Sequence, residues 1–301
     1  MNYTPICEEK RSIFIDTDLG CDCDDAGALA VLLTLSKKLG FKVAGANICT
    51  SNPLSNGALD AILEYFHAAM AKTGAYGKKG FLGSYNKFTE HLSGMAKQKS
   101  EVVESVAYYN EVLSSCEDDS VVLVTIGQFN CVADFLKDNP KLFSEKVHAV
   151  VSMAGHFPNS GKEFNVECDA LSSAYFIKNC PKPICFAGYE PGEEIITEMP
   201  VDKTNPVAEA YRLFTDGAMR RQSWDLLAVL FAIEGTGRFF TLSDEGEVTV
   251  DAEGANYFEK KKGAKYLNQI ISKTIGIGSS NDLIMKKIKI EVTDQNQIVI
   301  I

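Results

Sequence analysis

Five carboxylates, Asp16, Asp18, Asp22, Asp24 and Asp25, fall within ten consecutive residues. An apolar, β-branched run, Ile13-Phe14-Ile15, leads into them, and small residues suited to a helix, Ala26-Gly27-Ala28-Leu29-Ala30, follow directly. The pattern reads as strand, acidic turn and helix. So many negative charges on one turn repel one another unless protons or a cation offset them. A hard, oxygen-seeking divalent ion is the simplest partner. The alternative is a solvated acidic loop in which Asp24 or Asp25 caps the helix. Against it, a strand ending in the cluster aims these groups at the carboxyl edge of a sheet, where open α/β folds hold their ligands. Cys21 and Cys23 lie in the same turn, but no second thiol pair or nearby His completes a zinc or redox motif.

Other polar groups recur where strands are expected to end. The strand Lys42 to Ile48 finishes in Cys49-Thr50-Ser51-Asn52-Pro53, and Ser120 to Ile126 enters Gly127-Gln128-Phe129-Asn130. Val147 to Met153 exits at Ala154-Gly155-His156, with Glu163-Phe164-Asn165 soon after, and Trp224-Asp225 opens an apolar helix, Leu226 to Ile233. Taken singly, Glu163-Phe164-Asn165 reads as a surface strand, His156 as an ordinary loop histidine and Trp224 as core. In a parallel sheet these ends share one edge, so residues remote in sequence can line one pocket.

The elements that must position them alternate. Helices are predicted over Ala26 to Lys38, with Gly40 as the stop, over Pro53 to Ala71, from Asn130 to Lys137, from near Ala170, and over Pro206 to Met219. Pro183 to Ala187 reads as a further strand, and Lys72 to Lys99 as a long irregular loop. Short alternating segments, Glu247 to Asp251, Lys286 to Val292 and Gln297 to Ile301, read as edge strands. This order predicts an α/β fold: a mostly parallel central sheet flanked by helices, with a Rossmann-like core and short extra strands near the C-terminus. With no repeat or linker, residues 1–301 read as a single domain.

A chain of 301 residues, 46% hydrophobic and 23% charged, can bury a substantial core. Its net charge of -10 argues against nucleic acid, since phosphate binding wants a basic face, and a small neutral molecule is the better partner. No apolar stretch approaches the roughly 18 residues that span a bilayer, so no membrane partner is expected. Met1 to Arg11 lacks a signal-peptide core, which predicts a cytoplasmic protein. The nine cysteines are odd in number, and Cys49, Cys131 and Cys185 sit in apolar runs, which suits reduced core thiols.

The assembled set resembles the nucleoside hydrolase family, in the manner of its inosine-uridine preferring members. The match is carried by Asp16-Thr17-Asp18-Leu19-Gly20 with Asp24-Asp25-Ala26, by Thr50-Ser51-Asn52, by Glu163-Phe164-Asn165 with Asp169, and by Trp224-Asp225. The resemblance implies that Asp18, Asp25, Asp225 and the main-chain carbonyl of Ile126 hold a Ca2+ ion, with Asp18 as the catalytic base toward a water. It assigns the ribose hydroxyls to Asp24, Asn52, Glu163 and Asn165, with Met153 in the floor. The implied reaction is hydrolysis of a ribonucleoside to free base and ribose, and the implied assembly is a homodimer or homotetramer. Leu19 stands where many members have Pro, and the turn before the Asp pair is longer. Trp224 stands where several members place a His that protonates the leaving base. An indole can stack on a base but cannot serve as that acid, which leaves His156 as a candidate for the role.

Two rivals stay open on the sequence. Asp16-Thr17-Asp18 after an apolar strand is similar to the opening of haloacid-dehalogenase-type, Mg2+-dependent phosphatases, and Gly276 to Asp282 echoes their late acidic loop. That family gives no role to Asp24-Asp25 or Trp224-Asp225. The other rival is a nucleoside- or sugar-binding homologue with little activity. An EF-hand fails, because the twelfth position from Asp16 is Gly27.

Overall fold

The computed structural model describes residues 11–158, 160–236, 239–260, 266–270, 287–292 and 298–300. Along the chain, β1 (Ser12–Thr17) leads through the acidic turn to α1 (Asp24–Leu39), β2 (Val43–Ile48), α2 (Ser55–Tyr65), β3 (Lys72–Ala75) and α3 (Thr89–Met95). Then come β4 (Glu101–Glu104), α4 (Ser105–Ser114), β5 (Val121–Thr125), α5 (Asn130–Asp138), α6 (Pro140–Lys146) and β6 (Val147–Met153). The next stretch holds β7 (Gly161–Lys162), α7 (Phe164–Glu167), α8 (Ala170–Asn179), β8 (Ile184–Ala187), α9 (Tyr189–Glu194) and β9 (Ile196–Glu198). Last are α10 (Pro206–Phe214), β10 (Arg220–Gln222), α11 (Trp224–Glu234), β11 (Thr241–Val250), β12 (Ala255–Lys260), β13 (Tyr266–Ile270), β14 (Lys287–Val292) and β15 (Ile298–Ile300).

The main sheet runs in the order β4-β3-β2-β1-β5-β6-β8-β13-β11-β12-β7. Every pairing from β4 to β13 is parallel, and β11, β12 and β7 extend the sheet antiparallel. A smaller sheet follows the order β10-β9-β14-β15. The mostly parallel sheet with helices on its faces is the architecture expected. Parallel strands need crossovers, and the crossing helices cover both faces, so β1 and β5 are buried at every position.

Side chains alternate across β1. Ile13 and Ile15 join one apolar cluster with Leu29 and Leu32 of α1 and Val229 and Ile233 of α11. Phe14 faces the other way, stacking on Tyr109 of α4 at 4.4 Å between ring centroids. Asp16 shares the face of Phe14, and Thr17 that of Ile15. Helix α1 ends as predicted, with Gly40 left-handed at φ 78° and its N–H donated to the Ser36 carbonyl. Lys37 and Lys38 complement the negative end of the helix dipole.

Several expectations need correction. The helix expected from Pro53 to Ala71 stops at Tyr65, since His67 takes a left-handed φ of 55°. That expected to reach Met219 stops at Phe214, where Asp216, Gly217 and Met219 all have positive φ. The presumed loop from Lys72 to Lys99 contains β3 and α3. Glu163-Phe164-Asn165 is no strand: Glu163 caps α7. The segment expected at Glu247 to Asp251 is the end of the longer β11, which stops at Val250, and the two after it correspond to β14 and β15. Lys286, Gln297, Ile301, Met1 to Lys10 and Gly276 to Asp282 lie outside the described residues. Among the described residues the cysteines are free thiols, and no helix is long and apolar enough to cross a membrane.

Candidate active site

The acidic turn divides its carboxylates among different tasks. Asp16, 1% exposed, accepts hydrogen bonds from the Tyr109 hydroxyl and from Asn47 Nδ2 at 3.4 Å. Asn47 Oδ1 in turn accepts from Ser105 Oγ at 2.6 Å. Burial pushes Asp16 up to about 7 from 3.8, against the lowering effect of the Tyr109 and Asn47 hydrogen bonds. Asp22 instead forms a forked ion pair with Arg221.

Asp24 and Asp25 form the first turn of α1, where the helix N-terminus favours negative charge. Thr17 Oγ1 donates to Asp25 Oδ1 and accepts from Leu19 N at 3.2 Å, which fixes the turn against the helix. Asp225, in the first turn of α11, donates its backbone N–H to Asp24 Oδ2 at 3.2 Å. The carboxylates of Asp24, Asp25 and Asp225 each offer an oxygen within 4.8 Å of the others, and all three residues are buried. Burial raises all three well above the usual carboxylate range; Asp22 adds to this for Asp24, Asp18 and Asp24 for Asp25, and Asp24 and Asp25 for Asp225. Asp25 Oδ2 is buried without a hydrogen-bond partner. An orphaned carboxylate oxygen inside an all-oxygen, like-charged triangle fits a hard divalent cation.

Asp18, 4% exposed, lies beside this triangle, where its charge acts on both Asp25 and Asp225. Burial lifts it to about 6, while hydrogen bonds from Gln128 and Cys21 act in the opposite direction. Gln128 Nε2 donates to Asp18 Oδ2 at 2.7 Å and to Asn165 Oδ1 at 3.1 Å, while its Oε1 accepts from Cys49 Sγ at 3.5 Å. Asn165 Nδ2 then lies 3.2 Å from the Ile126 carbonyl, 3.1 Å from the Met153 carbonyl and 3.4 Å from Met153 Sδ. Gly127 permits this closeness. A Cβ there would stand 2.5 Å from Cys49 Sγ and 2.7 Å from the Asp18 backbone nitrogen.

Glu163 accepts from Asn165 N at 2.9 Å, Gly155 N at 3.0 Å and Val166 N at 3.3 Å; burial raises its carboxyl, against those hydrogen bonds. Asn52 holds its own turn through Leu54 N at 2.9 Å, and its Nδ2 donates to the Tyr85 carbonyl at 2.6 Å. Trp224 Nε1 donates to the Tyr189 carbonyl at 2.9 Å, and its ring stacks on Tyr189 at 5.4 Å. His156 has both ring nitrogens engaged, Nδ1 with Glu190 Oε1 at 3.1 Å and Nε2 with the Lys162 carbonyl at 3.2 Å.

The carboxylates that converge thus include Asp24 along with Asp25 and Asp225, whereas the sequence reading set Asp24 among the sugar contacts. Gln128 and Arg221 were not anticipated. Gln128 comes two residues after an expected strand end, the one local signal that could have found it; the partner of Arg221 is 199 residues away. Tyr85 and Phe164 carry no site role in the sequence reading, yet their rings lie 6.4 Å apart beside Asn52 and Asn165 and are about two-fifths exposed.

A parallel sheet bearing a buried carboxylate triangle at its carboxyl edge is an α/β frame able to seat a divalent cation. The family model for inosine-uridine preferring nucleoside hydrolase matches residues 13–274, and the chain belongs to that family of ribonucleoside hydrolases. Among curated proteins, none matches the chain by sequence at a significant level. Solved structures share the fold. A plant nucleoside hydrolase superposes with a TM-score of 0.66 at 15% identity, covering 88% of this chain and 95% of its own. The inosine-uridine preferring nucleoside hydrolase from Bacillus anthracis gives 0.67 at 13% identity, covering 87% and 93%. The purine-preferring ribonucleoside hydrolase from Gardnerella vaginalis gives 0.65 at 15% identity, covering 87% and 94%.

Proposed function

We propose that this chain is a Ca2+-dependent N-ribosyl hydrolase that splits a ribonucleoside into free base and ribose. The observation that carries the reading is the meeting of Asp225 with Asp24 across 201 residues, beside Asp25 and its orphaned oxygen. Asp18, Asp25 and Asp225 would hold the ion together with the Ile126 carbonyl, and Asp24 is near enough to share in it. When bound, calcium would lower the pKa of a water and anchor ribose hydroxyls.

Asp18 takes a proton from the attacking water as general base. Gln128 Nε2 donates to one oxygen of the Asp18 carboxylate and so fixes its orientation for that transfer. As the glycosidic bond breaks, positive charge gathers on the sugar, and the surrounding carboxylates stabilise it. Asn52, Glu163 and Asn165 complete the contacts to ribose, with Met153 beneath. Trp224, Tyr85 and Phe164 offer rings for the base, and His156 would have to release the Lys162 carbonyl to protonate it.

The family match and the part this scheme gives to Asp24, Asp25 and Asp225 favour it over a phosphatase. The test is base release from a panel of ribonucleosides by purified protein, after chelation and again after added Ca2+. Release restored by Ca2+ supports the proposal; phosphate release from aryl phosphates without base release removes it.

A further inference from the structure

We propose that Asp22 and Arg221 are positioning residues, a clasp that holds the two segments of the cation site together. This rests on reading the Asp24, Asp25 and Asp225 triangle as that site. Arg221 Nε lies 3.0 Å from Asp22 Oδ1 and 2.9 Å from Asp22 Oδ2, and Nη2 contacts the same Oδ2. The fork joins residues 199 apart in sequence. Asp22 sits two residues before Asp24 and Arg221 four before Asp225, so the pair spans the seam at which the triangle forms.

The geometry is built rather than incidental. The guanidinium carbon of Arg221 lies 5.0 Å from the centre of the Trp224 ring and 5.4 Å from that of Phe214, and Nη1 reaches Gln222 Oε1 at 3.3 Å. Both partners are half-buried. A forked arginine-carboxylate pair held against two rings loses little further freedom on pairing and fixes direction as well as distance. The physical need is clear. Like charges on the opening turn and on α11 repel each other, and an unpaired Asp22 would add another negative charge to that repulsion. Arg221 both cancels that charge and ties the segments.

The test is calcium affinity of the full-length protein by titration calorimetry, for wild type, Asp22→Asn, Arg221→Met and the exchanged pair Asp22→Arg with Arg221→Asp. Each single variant is expected to bind Ca2+ about 10- to 100-fold more weakly, with its circular dichroism unchanged. The exchanged pair is expected to regain part of the loss, which a general packing defect would not produce. If Arg221→Met does not fold, Arg221→Lys keeps the charge without the fork and is expected to weaken binding in the same direction. Single variants that bind like wild type overturn the clasp alone. Wild type that binds no divalent cation overturns the site and the clasp together.

Discussion

Gln128 Nε2 and Asp18 Oδ2 lie 2.7 Å apart, both buried, with the same amide nitrogen 3.1 Å from Asn165 Oδ1. One side chain thereby orients the proposed base and a proposed sugar contact. A hydrogen bond to a charged group contributes about 1.5–3 kcal/mol. Gln128→Leu is therefore expected to lower kcat/KM by about 10- to 100-fold. Gln128→Glu, which sets a like charge against Asp18, should cost more. Steady-state kinetics on a ribonucleoside checks both.

Asp18 itself should matter most. Asp18→Ala removes the base and is expected to reduce turnover by about 100-fold or more, with circular dichroism and melting cooperativity preserved. Unchanged base release would remove Asp18 from the mechanism.

Stability without calcium should depend on pH in a defined direction. Asp16 and Asp18 titrate at about 7 and about 6 in the fold, against an ordinary 3.8. A carboxyl whose pKa is raised by folding contributes stability that is fully present below 3.8 and lost as pH climbs through the folded value. Carboxylates with lowered pKa, Asp119, Asp134, Asp251 and Glu209, finish titrating below this window. In EDTA, Tm should fall between pH 5 and pH 8, and Ca2+ should reverse most of the fall at the upper end. A Tm that rises across that range in EDTA contradicts the buried-acid picture.

Discrimination at the sugar follows from the buried acceptors and amides around it. A 2-deoxyriboside would leave one such group unpaired, so ribosides should be cleaved at least about 100-fold faster. Equal kcat/KM for the two would show that the proposed hydroxyl contacts are absent.

Much of this was legible in the sequence. Strand β6 was predicted to the residue, because a mostly apolar, valine-rich run, broken only by His148 and Ser152, is bounded by Lys146 and Ala154-Gly155. Strand β3 was not, since Lys72-Thr73-Gly74-Ala75 has no alternation. Gly74 is there to admit Asn47 and Tyr108, whose atoms would lie 2.1 and 2.6 Å from an added Cβ. The acidic turn declared itself, but its division did not. Alternation sets Asp16 opposite Thr17, yet only α4, which was not foreseen, shows that Asp16 is taken up by Tyr109. Likewise Glu163 looks like a strand residue until Asn165 N and Val166 N are seen to point at its carboxylate.

The central claim is that carboxylates from the opening turn and from α11 enclose one cation. Anomalous diffraction from crystals grown with Ca2+ tests it most directly. The expected result is a peak about 2.3–2.6 Å from oxygens of Asp25 and Asp225, with Asp18 at its side. A saturating Ca2+ concentration that leaves no peak among Asp24, Asp25 and Asp225 would contradict it.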